Sequence, residues 1–412
     1  MVKDVKMDNE LNKIVKRSFE SLVTDDSKFG MPELRYVINM LLGHDSGIDW
    51  ATEFEERFAG CIGVKYAIAC NSGTSGLHAA LYAAGVDKGD EVIIPALNVI
   101  MGVYGVLALG GIPVFADVNE DTHLVSVEEI EKKITKKTKV ILTCSWEGLS
   151  CDMDPIMDLA RNHGIKVVDD SARTILGTYK GRQAGTIADL SVFSLESKKH
   201  LTAGGEGGII VSDNANLAQR ARKFAGIGYR HLSAGAGRTH LGIDKVQAPD
   251  YKRFDTIGLN YRMNDVSAAV ALGQLDRIDE IVNRRKDIGQ MFLQATADVN
   301  WFIPQRTPEG YEHAYYTFSV DYRGKEAHGT SWKSFYKQYK EMGGDGFYGV
   351  VAIPYLEPSL LGETYGDIKF SSGLCPVAEG LQQRVMCFKT NYRDLDLARI
   401  KIDLLAELIS KF

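Results

Sequence analysis

The stretch "SLESKKHLTAGGEGG" (194–208) follows "ADLSVFSL" (188–195), an apolar run that reads as a strand. Two adjacent lysines therefore stand between a strand end and a run of glycines. A lysine there can be a solvated charge, a phosphate ligand or a nucleophile. Lysine is mostly exposed, so the solvated reading is the ordinary one for Lys198 or Lys199 taken singly. A partly desolvated lysine is disfavoured as ammonium and attacks carbonyls to form Schiff bases.

Outward from this stretch, short apolar runs alternate with helical patterns. "EVIIP" (91–95), "IPVFAD" (112–117), "KVILTC" (139–144), "IKVVDD" (165–170) and "GGIIVSD" (207–213) read as further strands. "DWATEFEERFAGCIG" (49–63), "SGLHAALYAAG" (75–85) and "DPIMDLARNHG" (154–164) read as helices. The last is expected to start at an Asp154 cap with Pro155 at its first helical position and to stop at Gly164. Buried strands alternating with helices indicate an α/β domain around a mostly parallel sheet, whose ligands bind beyond the strands' carboxyl ends. Residues 264–293 read as one long amphipathic helix, and "AYYTFSVDY" (314–322) as a strand beyond it. The expected division is an N-terminal segment (1–27), a large domain (28–265), and a linking helix with a smaller C-terminal α/β domain (266–412). A polar, glycine-containing stretch between Arg230 and Asp255 is of a length that is usually functional or mobile.

The 412 residues suit one large domain and one smaller one. A formal net charge of −6 gives no reason to expect a nucleic-acid partner. The six cysteines form neither a C-x-x-C pair nor a His/Cys cluster, so neither a disulfide framework nor a metal site is expected. No apolar run approaches membrane-spanning length, and the N-terminus lacks a signal-peptide h-region. The expectation is a soluble, cytoplasmic protein.

Three features could carry chemistry. In "CNSGTSGLHAAL" (70–81), small residues lead straight into a helix, where Gly73 and Thr74 could offer N–H groups and a hydroxyl to a phosphate; the plain alternative is an N-cap. In "VVDDSA" (167–172), Asp170 stands at a strand's carboxyl end, where it could pair with a cation, bind a metal or cap a helix. The third is the lysine pair. Together a phosphate turn, an aspartate and a lysine are what pyridoxal phosphate needs: an anchor, a carboxylate for its pyridinium nitrogen and an amine for its aldehyde.

The same residues, with "KGDEVIIPALNVI" (88–100), "DMDPIMDLARNHGIKVVDDSA" (152–172), "YKGRQAGTIADLSVFSL" (179–195) and "GLNYRMNDVSAAVALGQLDRI" (258–278), resemble the DegT/StrS-type pyridoxal-phosphate-dependent sugar aminotransferases. The resemblance runs from about residue 53 to 380. It implies the aspartate-aminotransferase-like (type I) fold, with Lys199 as the Schiff-base lysine and Ser194 on the phosphate beside Gly73 and Thr74. Asp170 becomes the pyridinium partner, and Arg173 stands where the family has glutamine, beside the ring hydroxyl. Asn260 and Arg262 lie in a block that reaches the partner subunit's site, which implies a homodimer. The sequence also departs from the family. The usual "TGEGG" is "AGGEGG", the ring-stacking aromatic aligns with Val99 with Tyr104 as a substitute, and Arg173 could receive an acidic substrate. "FKTNY" (388–392) replaces a proline-rich ending.

The activity implied is transamination of a keto or aldehyde sugar with L-glutamate as donor, in cell-surface polysaccharide or lipopolysaccharide synthesis. "SKKHLT" and "FKTNY" look closest to the 8-amino-3,8-dideoxy-manno-octulosonate synthase subset. The alternatives are a nucleotide-linked keto-sugar acceptor, a sugar dehydratase of the same fold, and a non-catalytic cofactor-binding regulator. Dehydratases of this fold replace the lysine by histidine, so Lys199 argues against that branch although His200 follows it.

Overall fold

The computed structural model describes residues 28–43, 47–235, 243–347 and 351–412. The expected segment 1–27 and part of the polar 230–255 stretch lie outside the described residues. In chain order come α1 (Met31–Leu42), α2 (Trp50–Ile62), β1 (Tyr66–Cys70), α3 (Gly73–Ala84), β2 (Glu91–Pro95), α4 (Ile100–Ala108), β3 (Ile112–Ala116), β4 (Thr138–Cys144), α5 (Met153–His163), β5 (Lys166–Asp170), β6 (Leu190–Ser194), β7 (Gly208–Ser212) and α6 (Ala215–Ala225). The seven strands form one sheet in the order β1-β7-β6-β5-β4-β2-β3. Every neighbouring pair is parallel except the two made by β7.

Side-chain alternation along the strands divides the core. Ile68, Val192 and Ile210 join one apolar cluster with α3, while Ala67, Phe193 and Ile209 face the other way into a cluster with α2. Both faces are thus covered, which is why the strands read as continuous apolar runs. β1 was not among the strands read from the sequence. Its "YAIAC" is short and alanine-rich, and its place depends on pairing with β7, far along the chain.

The expected 264–293 helix is two helices. Asn264 caps α7 (Asp265–Leu275), and α8 (Ile278–Ala295) follows after Asp276 and Arg277. Long-range ion pairs pin this break: Arg57 binds Asp276 at 2.5 Å and Arg277 meets Glu33 at 3.4 Å. The apolar period runs through both helices, so it could not reveal the joint. α5 also starts earlier than expected, with Asp152 rather than Asp154 at the N-cap position and Pro155 third in the helix. The cause is Tyr179, whose hydroxyl accepts from Asp154 N (3.0 Å) and donates to Asp152 Oδ1 (2.6 Å). Gly164 ends the helix as expected, at φ 67°.

A second, antiparallel sheet follows, in the order β8 (Phe302–Pro304), β9 (Thr317–Tyr322), β10 (Val385–Lys389). α8 and α9 (Leu395–Ile409) pack on it around Phe292, Phe318 and Leu405. β9 is shorter than the expected 314–322, because Tyr315 has a left-handed backbone (φ 45°) and Ala314 N bonds back to Gly148 O at 2.8 Å. Between β9 and β10 the chain returns to the large sheet, where Tyr355 and Phe370 pack edge-on against Phe115.

The loop after β6 closes on itself. Leu195 N bonds Gly207 O (2.8 Å) and Ala203 N bonds Leu195 O (2.9 Å). The additional glycine is accommodated by left-handed backbone at Gly204 (φ 91°) and Gly205 (φ 155°). Gly208, at the start of β7, lies so close to the turn before α3 that a Cβ would sit 2.5 Å from Ser72 O and 2.6 Å from Gly73 N. Gly208→Ala must therefore push that turn outward. Urea unfolding is expected to read a loss of about 1–3 kcal/mol, as for other overpacked sites.

Candidate active site

Lys199 is held through its backbone. Its N–H donates to Glu196 O at 2.9 Å, and its carbonyl accepts from Lys28 Nζ (2.9 Å) and Arg285 Nη2 (3.1 Å). Lys28 also donates to Ser197 O at 2.5 Å. Burial, then the nearby Arg285, brings the Lys28 ammonium down to about 6. These two side chains tie residue 28 and α8 to the loop that carries Lys199.

The side chain points inward, with Nζ 4.8 Å from the centre of the Tyr316 ring. Burial, then Arg173, lowers the Lys199 pKa to about 8, while Asp170, Glu147 and Glu196 pull it back up. Lys198 is exposed. Adjacent lysines thus have different environments.

The two aspartates ending β5 also divide. Asp169 turns to hydroxyls: Thr143 Oγ1 (2.7 Å), Ser145 Oγ (3.3 Å) and Ser171 Oγ donate to it. Asp170 accepts from Ala172 N at 3.1 Å and lies within electrostatic reach of Lys199. Burial raises its pKa, and the Lys199 charge opposes that rise. Alternation along the strand makes this division.

At the start of α3, Ser72 Oγ accepts from Ser75 N at 3.1 Å. The first N–H groups of the helix, on Gly73 and Thr74, have no intrahelical carbonyl. A Cβ on Gly73 would stand 3.0 Å from Ser194 Cβ and 3.2 Å from its Oγ. β6 therefore brings Ser194 directly against the turn, and the glycine keeps the cradle open.

Arg173 is engaged. Its Nη1 donates to Glu147 Oε1, and its guanidinium lies 4.1 Å from the centre of the Trp146 ring and 5.0 Å from that of Tyr316. Glu147 is fully buried, and Thr317 Oγ1 donates to its other oxygen at 2.5 Å. Arg173 thus already holds a carboxylate of the chain itself through Nη1. The sequence reading missed Glu147, Trp146, Tyr316, Lys28 and Arg285. One signal was available for Glu147: an acidic residue three positions beyond the end of β4, where sites of parallel sheets collect.

Asn260 and Arg262 are exposed, with Arg262 Nε donating to Asn260 Oδ1 at 3.1 Å. Their segment pairs with the residues just before the phosphate turn, through Asn71 N to Tyr261 O (2.7 Å) and a Cys70–Arg262 bridge. They are at the rim of the site, on this chain's outer surface. Val99 is the N-cap residue of α4. Tyr104 stands 43% exposed on α4 with its hydroxyl 2.9 Å from Ser359 Oγ. His200 is buried with Nε2 2.9 Å from Ala314 O, while its Nδ1 has no partner among the described residues.

The residues fit pyridoxal phosphate. The cluster combines a buried amine of lowered pKa, a buried carboxylate within its electrostatic reach and an open cradle at a helix start. Two buried donors at the ends of adjacent strands, Asn98 Nδ2 and Trp146 Nε1, have no partner among the described residues, as expected beside a polar ligand.

A family model described as the DegT/DnrJ/EryC1/StrS aminotransferase family matches residues 45–400. The chain belongs to that family. Its cofactor is pyridoxal phosphate. Among curated relatives, the chain is 37% identical over 246 residues to the GDP-perosamine synthase of Caulobacter vibrioides, covering 60% of this chain and 61% of that protein. It is 36% identical over 244 residues to the GDP-perosamine synthase of Escherichia coli O157:H7, covering 59% and 62%. The match thus spans about three fifths of these relatives' length. Among solved structures, an aminotransferase from Psychrobacter cryohalolentis superposes with a TM-score of 0.81 at 28% identity, covering 93% of this chain and 97% of that one. DesV of S. venezuelae, solved with a ketimine intermediate, shares the fold with a TM-score of 0.77 at 23% identity, over 98% of each chain. Among the described residues, no helix is long and apolar enough to cross a membrane.

The lowered Lys199 pKa gives a direct expectation. At pH 8 about half of such an amine is free, against roughly 0.3% of an ordinary lysine. Borohydride trapping of pyridoxal phosphate on the apoprotein should rise through about pH 8 and level off by about pH 9 at Lys199. A rate still climbing above pH 10, or label found chiefly on Lys198, would contradict the burial of this amine.

Proposed function

We propose that this protein is an aminotransferase that moves an amino group from L-glutamate to the carbonyl of a keto or aldehyde sugar. The observation that carries the reading is the buried Lys199 amine within electrostatic reach of Asp170, together with the Gly73–Ser194 cradle. Bound pyridoxal phosphate supplies an aldehyde to take up the amino group and a ring to accept the electrons left when a proton leaves the donor's α-carbon. The protein's residues do the rest. Gly73, Thr74 and Ser194 would hold the phosphate, and the Asp170 carboxylate would keep a proton on the ring nitrogen. Lys199 Nζ would be the amine that holds the aldehyde until the donor arrives, and once free it would accept and return the proton of the donor's α-carbon. The second half runs in reverse on the sugar.

For the acceptor, the GDP-perosamine synthases support a nucleotide-linked keto sugar. The octulosonate acceptor rests on the "SKKHLT" and "FKTNY" segments and on Arg173 as a carboxylate ligand, and the Arg173 guanidinium is already paired with Glu147 through Nη1. A sugar dehydratase is a second reading, since dehydratases share the fold at 22% identity. The presence of Lys199 in the buried position, with His200 Nε2 bonded to Ala314 O, favours transfer. Asn260 and Arg262 would complete the site of a second copy of this chain. The exposed Phe254, Ile257 and Leu259 on the same segment suit such a homodimer.

With pyridoxal phosphate added, the protein should show a visible band that L-glutamate bleaches, and Lys199→Ala should lose both the band and at least about 1000-fold in turnover. Initial rates with glutamate and GDP-4-keto-6-deoxymannose should give parallel double-reciprocal lines. Converging lines would refute the scheme. Turnover with an 8-oxo octulosonate and none with the GDP-sugar would move the acceptor to the octulosonate class.

A further inference from the structure

The scheme above gives no task to the Glu147–Arg173 pair, although it is buried against the catalytic amine. Glu147 is unusual in its backbone as well as its burial. It has left-handed dihedrals (φ 55°, ψ 8°), and Gly148 follows at φ 115°. A Cβ on Gly148 would stand 2.7 Å from Tyr315 N and 2.8 Å from Tyr316 N. The turn after β4 is thus docked on the backbone that leads into β9. The Glu147 carboxylate is then fixed by Arg173 on one oxygen and Thr317 on the other.

Arg173 and Lys199 share one aromatic surface, lying 5.0 and 4.8 Å from the centre of the Tyr316 ring. The charged groups acting most strongly on the Lys199 amine are Arg173, Asp170, Glu147 and Glu196. Lys28, whose charge also interacts with Lys199, and Arg285, 5.7 Å from the centre of the Tyr316 ring, donate to its carbonyl. Of the acids at these strand ends, Asp170 is reserved for the cofactor ring in the scheme above, and Asp169 is bound by Thr143, Ser145 and Ser171. An Arg173 charge without its own counter-ion would act directly on Lys199.

We propose that Glu147 is a positioning residue that sets the charge of the catalytic centre: it holds Arg173 as a compensated pair between the Trp146 and Tyr316 rings, so that Arg173 lends hydrogen-bond donors without imposing a full positive charge on Lys199. This rests on the reading of Lys199 as the amine that carries the cofactor.

The test is a spectral pH titration of the cofactor-loaded protein, reading the apparent pKa of the Lys199–cofactor linkage from its visible band. Glu147→Gln should lower that pKa by about one unit or more, the usual effect of an uncompensated neighbouring charge. Arg173→Gln should raise it. The double variant E147Q/R173Q should return to within about half a unit of the parent, because the two opposed effects cancel. A packing defect has no reason to produce opposite shifts that cancel. Thr317→Val, which removes only the hydroxyl donor to Glu147, should shift in the direction of Glu147→Gln by a smaller amount. It decides the question together with the double variant if Glu147→Gln fails to fold. Shifts of the same sign in the two single variants, or a double variant and Thr317→Val that do not follow this pattern, would overturn the proposal. If the parent protein forms no visible band, the proposed function fails instead.

Discussion

A buried amine beside a buried guanidinium is electrostatically unfavourable, and the arrangement around Lys199 answers that constraint. Two carboxylates are buried with the two cations: Asp170 lies within electrostatic reach of Lys199, and Glu147 binds Arg173. The Tyr316 ring lies under both positive groups. Removing one member of such a buried pair typically costs about 3–5 kcal/mol, because the partner is left uncompensated. Holding the charges in fixed positions is therefore also a stability requirement. It also leaves Lys199 with a pKa near the range where an amine both attacks carbonyls and carries protons.

The scaffold supplies the precision. Asp170, Lys199 and Glu147 each follow a strand of the parallel sheet, β5, β6 and β4, which are neighbours. Strand spacing alone brings residues far apart in sequence to one rim. The smaller sheet contributes from the other side: Tyr316 and Thr317 at the start of β9 reach Lys199 and Glu147. Arg285 on α8 ties the loop carbonyls to Tyr316 O. The site is thus formed where the two sheets meet.

Much of this was legible in advance because it depends on local pattern. The strands ending at Asp170 and Ser194 announced themselves as apolar runs, and the helix at Gly73 as a run of small residues before an amphipathic segment. The misreadings have a common cause. The break at Asp276–Arg277 is made by Arg57 and Glu33, which are more than 200 residues away in sequence. The α5 cap moved because Tyr179 reaches back across 27 residues to Asp152. β1 owes its place to β7. Arg173 looked like a free cation because its counter-ion, Glu147, stands 26 positions away on another strand end.

By itself the sequence determined the parallel-sheet class, the order of phosphate turn, aspartate and lysine, and the chemistry those residue types can perform. These follow from side-chain periodicity and from the functional groups present, which need no neighbours to be recognised. Only the tertiary structure decided which of two adjacent lysines turns its amine inward, which of two adjacent aspartates its charge reaches, and whether Arg173 carries a free charge. Each of those depends on solvent exclusion and on Coulomb interactions over a few ångströms, and those distances exist only once strands separated by tens of residues lie side by side.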